Sequence, residues 1–160
     1  MPLPLPLPHQ RLAAAIGREF DAGREFDALL NEEHGDLLAG RTDRLEQIAS
    51  RKATLARQIA DYAEERDAAL LAAGLPSGRR GLQRLHSAGP SGAVKLLAEL
   101  RACAQRVRAR SDDNRMLVEG RLAQVGAALA VLMAGSGAVQ VYSPNGRLSA
   151  GGAGRTRGTA

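Results

Sequence analysis

Between Pro8 and Pro76 the chain contains no proline, and between Pro90 and Pro144 it again contains none. Proline inside a helix removes a backbone donor and clashes with the preceding turn, so these two windows are the stretches free to form long helices. Their composition favours that outcome. Of 160 residues, 44% are hydrophobic but only 2% are aromatic, and there is no Trp. Most of the apolar positions are Ala and Leu, which make thin helix–helix seams and not the thick core of a pocket-bearing enzyme. One all-α domain is the expectation.

The first window reads as a long antiparallel helical hairpin, residues 10–73. Its second helix should start near Thr42 or Asp43, because Asp43 and Glu46 have capping-box spacing. The seam of that helix is Leu45, Ile48, Lys52, Leu55, Ile59, Tyr62, Arg66, Ala69 and Ala73, in alternating steps of three and four. Gly74 and Pro76 stop it, Gly by taking the left-handed conformation and Pro by forbidding continuation. The first helix runs from about Gln10 to Ala39, with Leu12, Ile16, Phe26, Leu30, Glu33 and Leu37 on its stripe. Gly40-Arg41-Thr42 is a connection short enough to force an antiparallel neighbour. Charges at seam positions fix register, and Glu33 lies opposite residues 48–52, so a Glu33–Lys52 pair is expected.

The hexamer Gly-Arg-Glu-Phe-Asp-Ala occurs twice in succession, at 17–22 and 23–28. Six residues advance a helix by about 600°, so Phe20 and Phe26 point about 120° apart and cannot both sit mid-seam. Phe26 is expected inside and Phe20 at the edge. A tandem duplication without attached function accounts for the repeat, and Gly17 and Gly23 weaken the helix locally.

Residues 74–92 read as a linker, with Leu82 and Leu85 allowing a short helical turn. A third long helix, 93–134, follows, with Val94, Leu97, Leu100, Ala104, Val107, Val118, Leu122, Val125, Leu129 and Leu132 as apolar positions. Ser111 and Asn114 interrupt that stripe, and Gly135 is its expected cap. The arm at 1–9, with alternating Pro, should be an extended, disordered segment. The tail at 135–160 lacks any amphipathic period and should be disordered too.

Charge is divided along the chain. Residues 1–73 carry nine basic and thirteen acidic side chains, while residues 74–160 carry thirteen basic and four acidic. Such polarity suits an anionic partner or a bundle that pairs its own halves. Cys103 is alone, so no internal disulfide can form and the compartment reads as reducing. The first residues lack the features of a signal peptide. No uninterrupted apolar run of about 18 residues occurs, so no membrane insertion is expected. The cytoplasm is the expected compartment.

Chemistry is hard to place on this sequence. His9, His34 and His86 lie in separate segments, so no metal site is expected. The glycine-rich residues 74–81 lack the Gly-Lys-Ser/Thr ending of a phosphate loop. No base accompanies Cys103, which reads as inert, and no cofactor or small-molecule substrate is implied. Arg101, Arg108 and Arg115 share a face and could track phosphates. Stacking aromatics are missing there, and Glu99, Asp112, Asp113 and Glu119 break the field. The strongest signal is an interaction surface. Met116, Leu117, Val118, Leu122, Val125, Leu129, Val131, Leu132 and Met133 cover more of the helix than one antiparallel neighbour needs.

Residues 26–76 resemble the opening of the FlgN-like family of flagellar export chaperones. The matching elements are Leu29-Leu30, Glu33, Leu37, the turn at Gly40–Asp43, Leu45, Lys52, Leu55, Arg66, Leu70-Leu71 and Gly74. Asn114 stands at the second position of the family's Asn-x-x-Asn element, where Ser111 replaces the first Asn. Ala128-Leu129 and Leu132 are similar to its closing helical run. Tyr142-Ser143-Pro144-Asn145-Gly146-Arg147 looks like its terminal Tyr–Gly–Arg element, with Ser143 where Gly is usual. The resemblance covers about residues 26–150. It implies a non-enzymatic cytosolic chaperone that binds C-terminal segments of hook–filament junction proteins and delivers them to the cytoplasmic domain of the type III export gate. It further implies that Leu117, Val118, Leu122, Val125, Leu129 and Leu132 hold the client and that Tyr142 docks on the gate. Two other readings stand beside it. One is a basic coiled-coil nucleic-acid-binding protein using Arg101, Arg108 and Arg115, and the other is a structural rod protein of the same secretion system.

Overall fold

The structure, a computed structural model, describes residues 7–135. These form four helices and no strands: α1 Pro8–Ala39, α2 Leu45–Ala72, α3 Gly78–Ala88 and α4 Ser91–Gly135. The chain divides into two units, Met1–Leu117 and Val118–Ala160. The first holds the packed cores and the second includes the C-terminal turns of α4.

α1 begins two residues earlier than the sequence suggests. Pro8 is its first residue, where a missing N–H costs nothing. The backbone N–H of Leu7 donates to Gln10 Oε1 at 3.2 Å, so the last part of the expected arm is helix and its cap. Gly40 ends α1 at φ 74°, its N–H donating to Leu37 O while that of Arg41 donates to Asp36 O at 2.9 Å. Gly74 ends α2 in the same way at φ 76°, with the Leu75 N–H on Leu70 O at 2.9 Å. Both are closures in which a left-handed glycine lets the next residue reach back to the helix.

One expectation fails at the α1–α2 connection, and at the α2–α4 connection the helical turn expected around Leu82 and Leu85 is a longer helix. Asp43 does not cap α2. The Leu45 N–H bonds Thr42 O within the turn, Arg44 occupies the cap position, and no side chain bonds the helix start. Residues 78–88 are a helix of eleven residues within the expected linker. Leu85 is buried, and partly buried Leu82 packs against the same cluster.

Ion pairs give the register. Glu19 meets Arg66, Arg18 meets Glu65 and Glu33 meets Lys52, so positions rise on α1 as they fall on α2, as in an antiparallel hairpin. Between α1 and α4 the order reverses. Asp27 meets Arg106 and His34 meets Asn114, so within the first unit α4 runs parallel to α1.

The apolar interior forms two clusters. One joins Leu12, Ile16, Leu70, Leu85, Ala93 and Leu97. The other joins Leu29, Ile48 and Leu55, with Phe26 packed against it. In this part of α4 Cys103 is buried and the expected Ala104 is exposed.

The hexamer repeat lies between the clusters on α1, and its copies occupy different surroundings. Glu19 is buried while Glu25 is exposed, and Ala22 is buried while Ala28 is exposed. Phe26 packs inside as expected, and Phe20 lies partly exposed with the Arg24 guanidinium 5.9 Å from its ring centre. Gly23 has Cys103 Sγ 3.3 Å from where its Cβ would stand, whereas Gly17 faces open space. Gly17→Ala should therefore stabilise the chain by about 0.5–1 kcal/mol, the helix-propensity difference undiminished by packing. Gly23→Ala should gain less, because its methyl group presses on the thiol. Paired urea titrations would check the order, and a larger gain at position 23 would contradict it.

Candidate functional site

The residues that join the three long helices are polar. Lys52 Nζ donates to both carboxylate oxygens of Glu33, each at 2.8 Å, which is the expected seam pair. Asn114 completes the junction. Its Nδ2 donates to Leu30 O at 3.0 Å and to Glu33 Oε2 at 2.9 Å. Its Oδ1 lies 2.8 Å from His34 Nδ1, so the imidazole donates from that nitrogen. Asn114 is only 3% exposed, and every polar atom of its side chain is occupied. A buried polar group satisfied in this way sets a unique register. The break that sequence periodicity marks in α4 is thus the point at which α4 is fastened to α1.

Lys52→Glu should destabilise the chain by about 1–2 kcal/mol more than Lys52→Leu, because it faces Glu33 with a second carboxylate, whereas leucine leaves only an uncompensated one. Thermal denaturation of both variants checks this, and equal losses would remove the pairing argument.

Three other groups are held for structure. Arg66 Nη1 bonds both oxygens of Glu19 at 2.6 Å in a mostly buried pair. Asp36, almost fully buried, accepts from Arg41 Nε and Nη2 at 2.9 and 2.8 Å and so braces the α1–α2 turn. Cys103 is fully buried, and burial pushes its thiol above the ordinary range. A protonated, enclosed thiol is a poor nucleophile.

No cluster of three potential metal ligands occurs among the described residues. Arg101, Arg108 and Arg115 are exposed, and Arg115 pairs with Asp112 at 3.3 Å on its own helix. Arg106, beside that row, bonds Asp27 of α1 at 3.2 Å. Part of the basic character of α4 therefore pairs with the acidic first half of the chain.

The apolar residues toward the end of α4 behave differently. Val118 is 39% exposed, Leu122 and Val125 are 66%, Leu129 is 55% and Leu132 is 70%. From Leu122 to Gly135 the sequence has no charged side chain. Leu117, the last residue of the first unit, is half-buried and stands apart from the other five expected contact residues. By length and composition α4 meets the requirement for a membrane span, with an unburied window of mean hydropathy 1.5. The apolar run is not continuous, because Glu119, Arg121 and Gln124 interrupt it. Tyr142, the other expected contact residue, lies outside the described residues.

Glu33 and Lys52 could be found from their seam positions, but Asn114's place in the junction only through the Asn-x-x-Asn resemblance, since periodicity treats it as a defect. α3 was signalled only by the Leu82–Leu85 spacing.

In comparison with known proteins, the family model described as FlgN protein matches residues 9–150. No curated protein and no solved structure matches the chain. With that match extending over the hairpin, α3, α4 and part of the segment beyond, the chain belongs to the FlgN family of flagellar export chaperones.

Proposed function

We propose that the chain is a cytoplasmic, non-catalytic chaperone of the hook–filament junction proteins. It binds their C-terminal segments and delivers them to the cytoplasmic domain of the export gate. The observation that carries the client reading is the exposure of Val118, Leu122, Val125, Leu129 and Leu132 on one helix. Steps of four and three place these residues on a single stripe, the geometry of a helix received in an apolar groove. Such a surface in water favours a partner, and family membership favours an export substrate over a bilayer. Leu117 contributes from the edge of the stripe. Tyr142 is the gate-docking residue, a large amphipathic contact with few rotatable bonds to immobilise.

Calorimetric titration of the chain with the C-terminal peptide of its own junction protein, at low and high salt, tests the client reading. Saturable one-to-one binding that persists at high salt supports it. Leu122→Asp with Leu129→Asp should abolish the heat, and Tyr142→Ala should spare client binding while weakening association with the gate domain. No complex with the peptide would overturn the reading. Steeply salt-dependent binding to nucleic acid through Arg101, Arg108 and Arg115 would replace it.

A further inference from the structure

We propose that the cavity between α3 and the end of α2 is a docking site for an acidic peptide segment that carries an apolar side chain. The cavity has a volume of about 580 Å³ and lies wholly within the first unit. Leu75, Pro76 and Leu85 form an apolar part of its wall, and Arg80, Gln83 and Arg84 bring polar groups to it. No carboxylate lines it.

Its charge is unbalanced over a long stretch. From residue 68 to residue 98 there is no Asp or Glu, while Arg79, Arg80, Arg84 and Lys95 are all present. No carboxylate among the described residues pairs with Arg79, Arg80 or Arg84, whereas Arg18, Arg44, Arg66 and Arg106 each have one on a neighbouring helix.

The placement on α3 is also unfavourable in isolation. Arg79 and Arg80 lie in the first turn of α3, at the positive end of the helix dipole, and the turn has no acidic residue and no side-chain cap. Positions 80, 83, 84 and 87 follow helical spacing, so α3 turns one polar stripe toward the cavity. An incoming carboxylate would be met by guanidinium forks, by the Gln83 amide and by the dipole together.

Concavity and an apolar wall select among anionic partners. A cavity of this size can take a side chain or a short peptide segment, whereas a bilayer surface offers nothing to fill it. Nucleic acid would be expected to use several stacking rings, and no Phe, Tyr or Trp lines the site, where the one ring is the imidazole of His9.

The test uses the full chain and fluorescence anisotropy with three labelled short peptides, one of glutamate and leucine, one of glutamate and serine, and one of lysine and leucine. The glutamate–leucine peptide should bind saturably and at least about tenfold more tightly than the other two. Arg80→Glu with Arg84→Glu should weaken it by a further factor of about ten or more, and Arg80→Gln with Arg84→Gln by less. Both pairs are at the surface, and an unchanged helical circular dichroism spectrum would confirm that the fold persists. Leu122→Asp with Leu129→Asp should leave this binding intact, which separates the site from the client surface. The proposal is overturned if that α4 variant abolishes binding, or if the arginine variants bind as the parent does. Equal binding of the glutamate–serine peptide, competition by anionic vesicles or duplex DNA, or self-association lost with the same arginines would overturn it too.

Discussion

Replacing Arg66 with methionine should lower the free energy of unfolding by about 3 kcal/mol at about pH 7, and by less on acidification. Glu19 and Arg66 lie mostly out of water, and the guanidinium holds both carboxylate oxygens. Methionine keeps the apolar stem of the side chain but strands the carboxylate, and an unpaired buried charge costs more than the pair contributes when intact. Burial pushes the Glu19 carboxyl above its ordinary value, Arg66 draws it back down, and Asp67 adds to the rise. A raised folded-state value means that the folded chain holds this proton more tightly than the unfolded one. The associated stability is complete below the ordinary carboxylate range and is lost as pH rises through the folded value. Without Arg66 the folded value rises further, so the deficit of the variant relative to the parent should shrink between about pH 7 and about pH 5. Urea denaturation of both proteins across that range measures it. A deficit below about 1 kcal/mol at the upper end, or one that grows on acidification, would contradict the assignment.

Gly81→Ala should destabilise the chain by about 2 kcal/mol or more, although alanine is much the better helix former. Propensity alone favours the substitution by about 1 kcal/mol in the middle of α3. Contact opposes it. A Cβ at position 81 would stand 1.7 Å from the Pro76 carbonyl oxygen, 2.9 Å from that carbonyl carbon and 3.2 Å from Leu70 Cδ1. The first two are backbone atoms of a proline, and the third belongs to a fully buried leucine, so none can swing aside. α3 must move off the α2–α3 connection, pulling Leu85 from its cluster. Thermal denaturation decides between the two effects, because an increase in Tm would mean that propensity wins and that α3 packs less closely than its backbone indicates.

The fold was legible wherever local chemistry and global packing agree. The proline-free windows, the stops at Gly40 and Gly74 and the Glu33–Lys52 pair each follow from residues within a few turns of one another, and each is present. α3 was harder to read because it is short and rich in Gly and Arg, and its helicity depends on Leu85 reaching a cluster built from distant segments. Asp43 failed as a cap because the turn's own hydrogen bonds took precedence over a spacing rule. The burial of Asn114 was not legible locally, for a deeper reason. Periodicity scores it as polar and therefore outward, yet its three partners come from residues about 80 positions earlier, which no local window contains. The exposed stripe at the end of α4 was legible apart from Leu117, since a helix with more apolar surface than its neighbours can cover announces itself by composition.

The hexamer repeat has a consequence for phasing. Leu12 of the first cluster and the buried Leu30, next in sequence to Leu29 of the second, are eighteen residues apart, which in an α-helix is five whole turns, so they lie in line along α1. Remove one copy of the hexamer and they are twelve residues apart, about 120° out of step. The upstream segment would then turn Leu12 and Ile16 away from α2 and α4 while Leu29 and Leu30 kept their places. The second copy therefore acts as a spacer of about one and two-thirds turns that brings the two ends of α1 into alignment. A chain lacking it would need compensating changes throughout residues 7–16 before its two clusters could form on one helix.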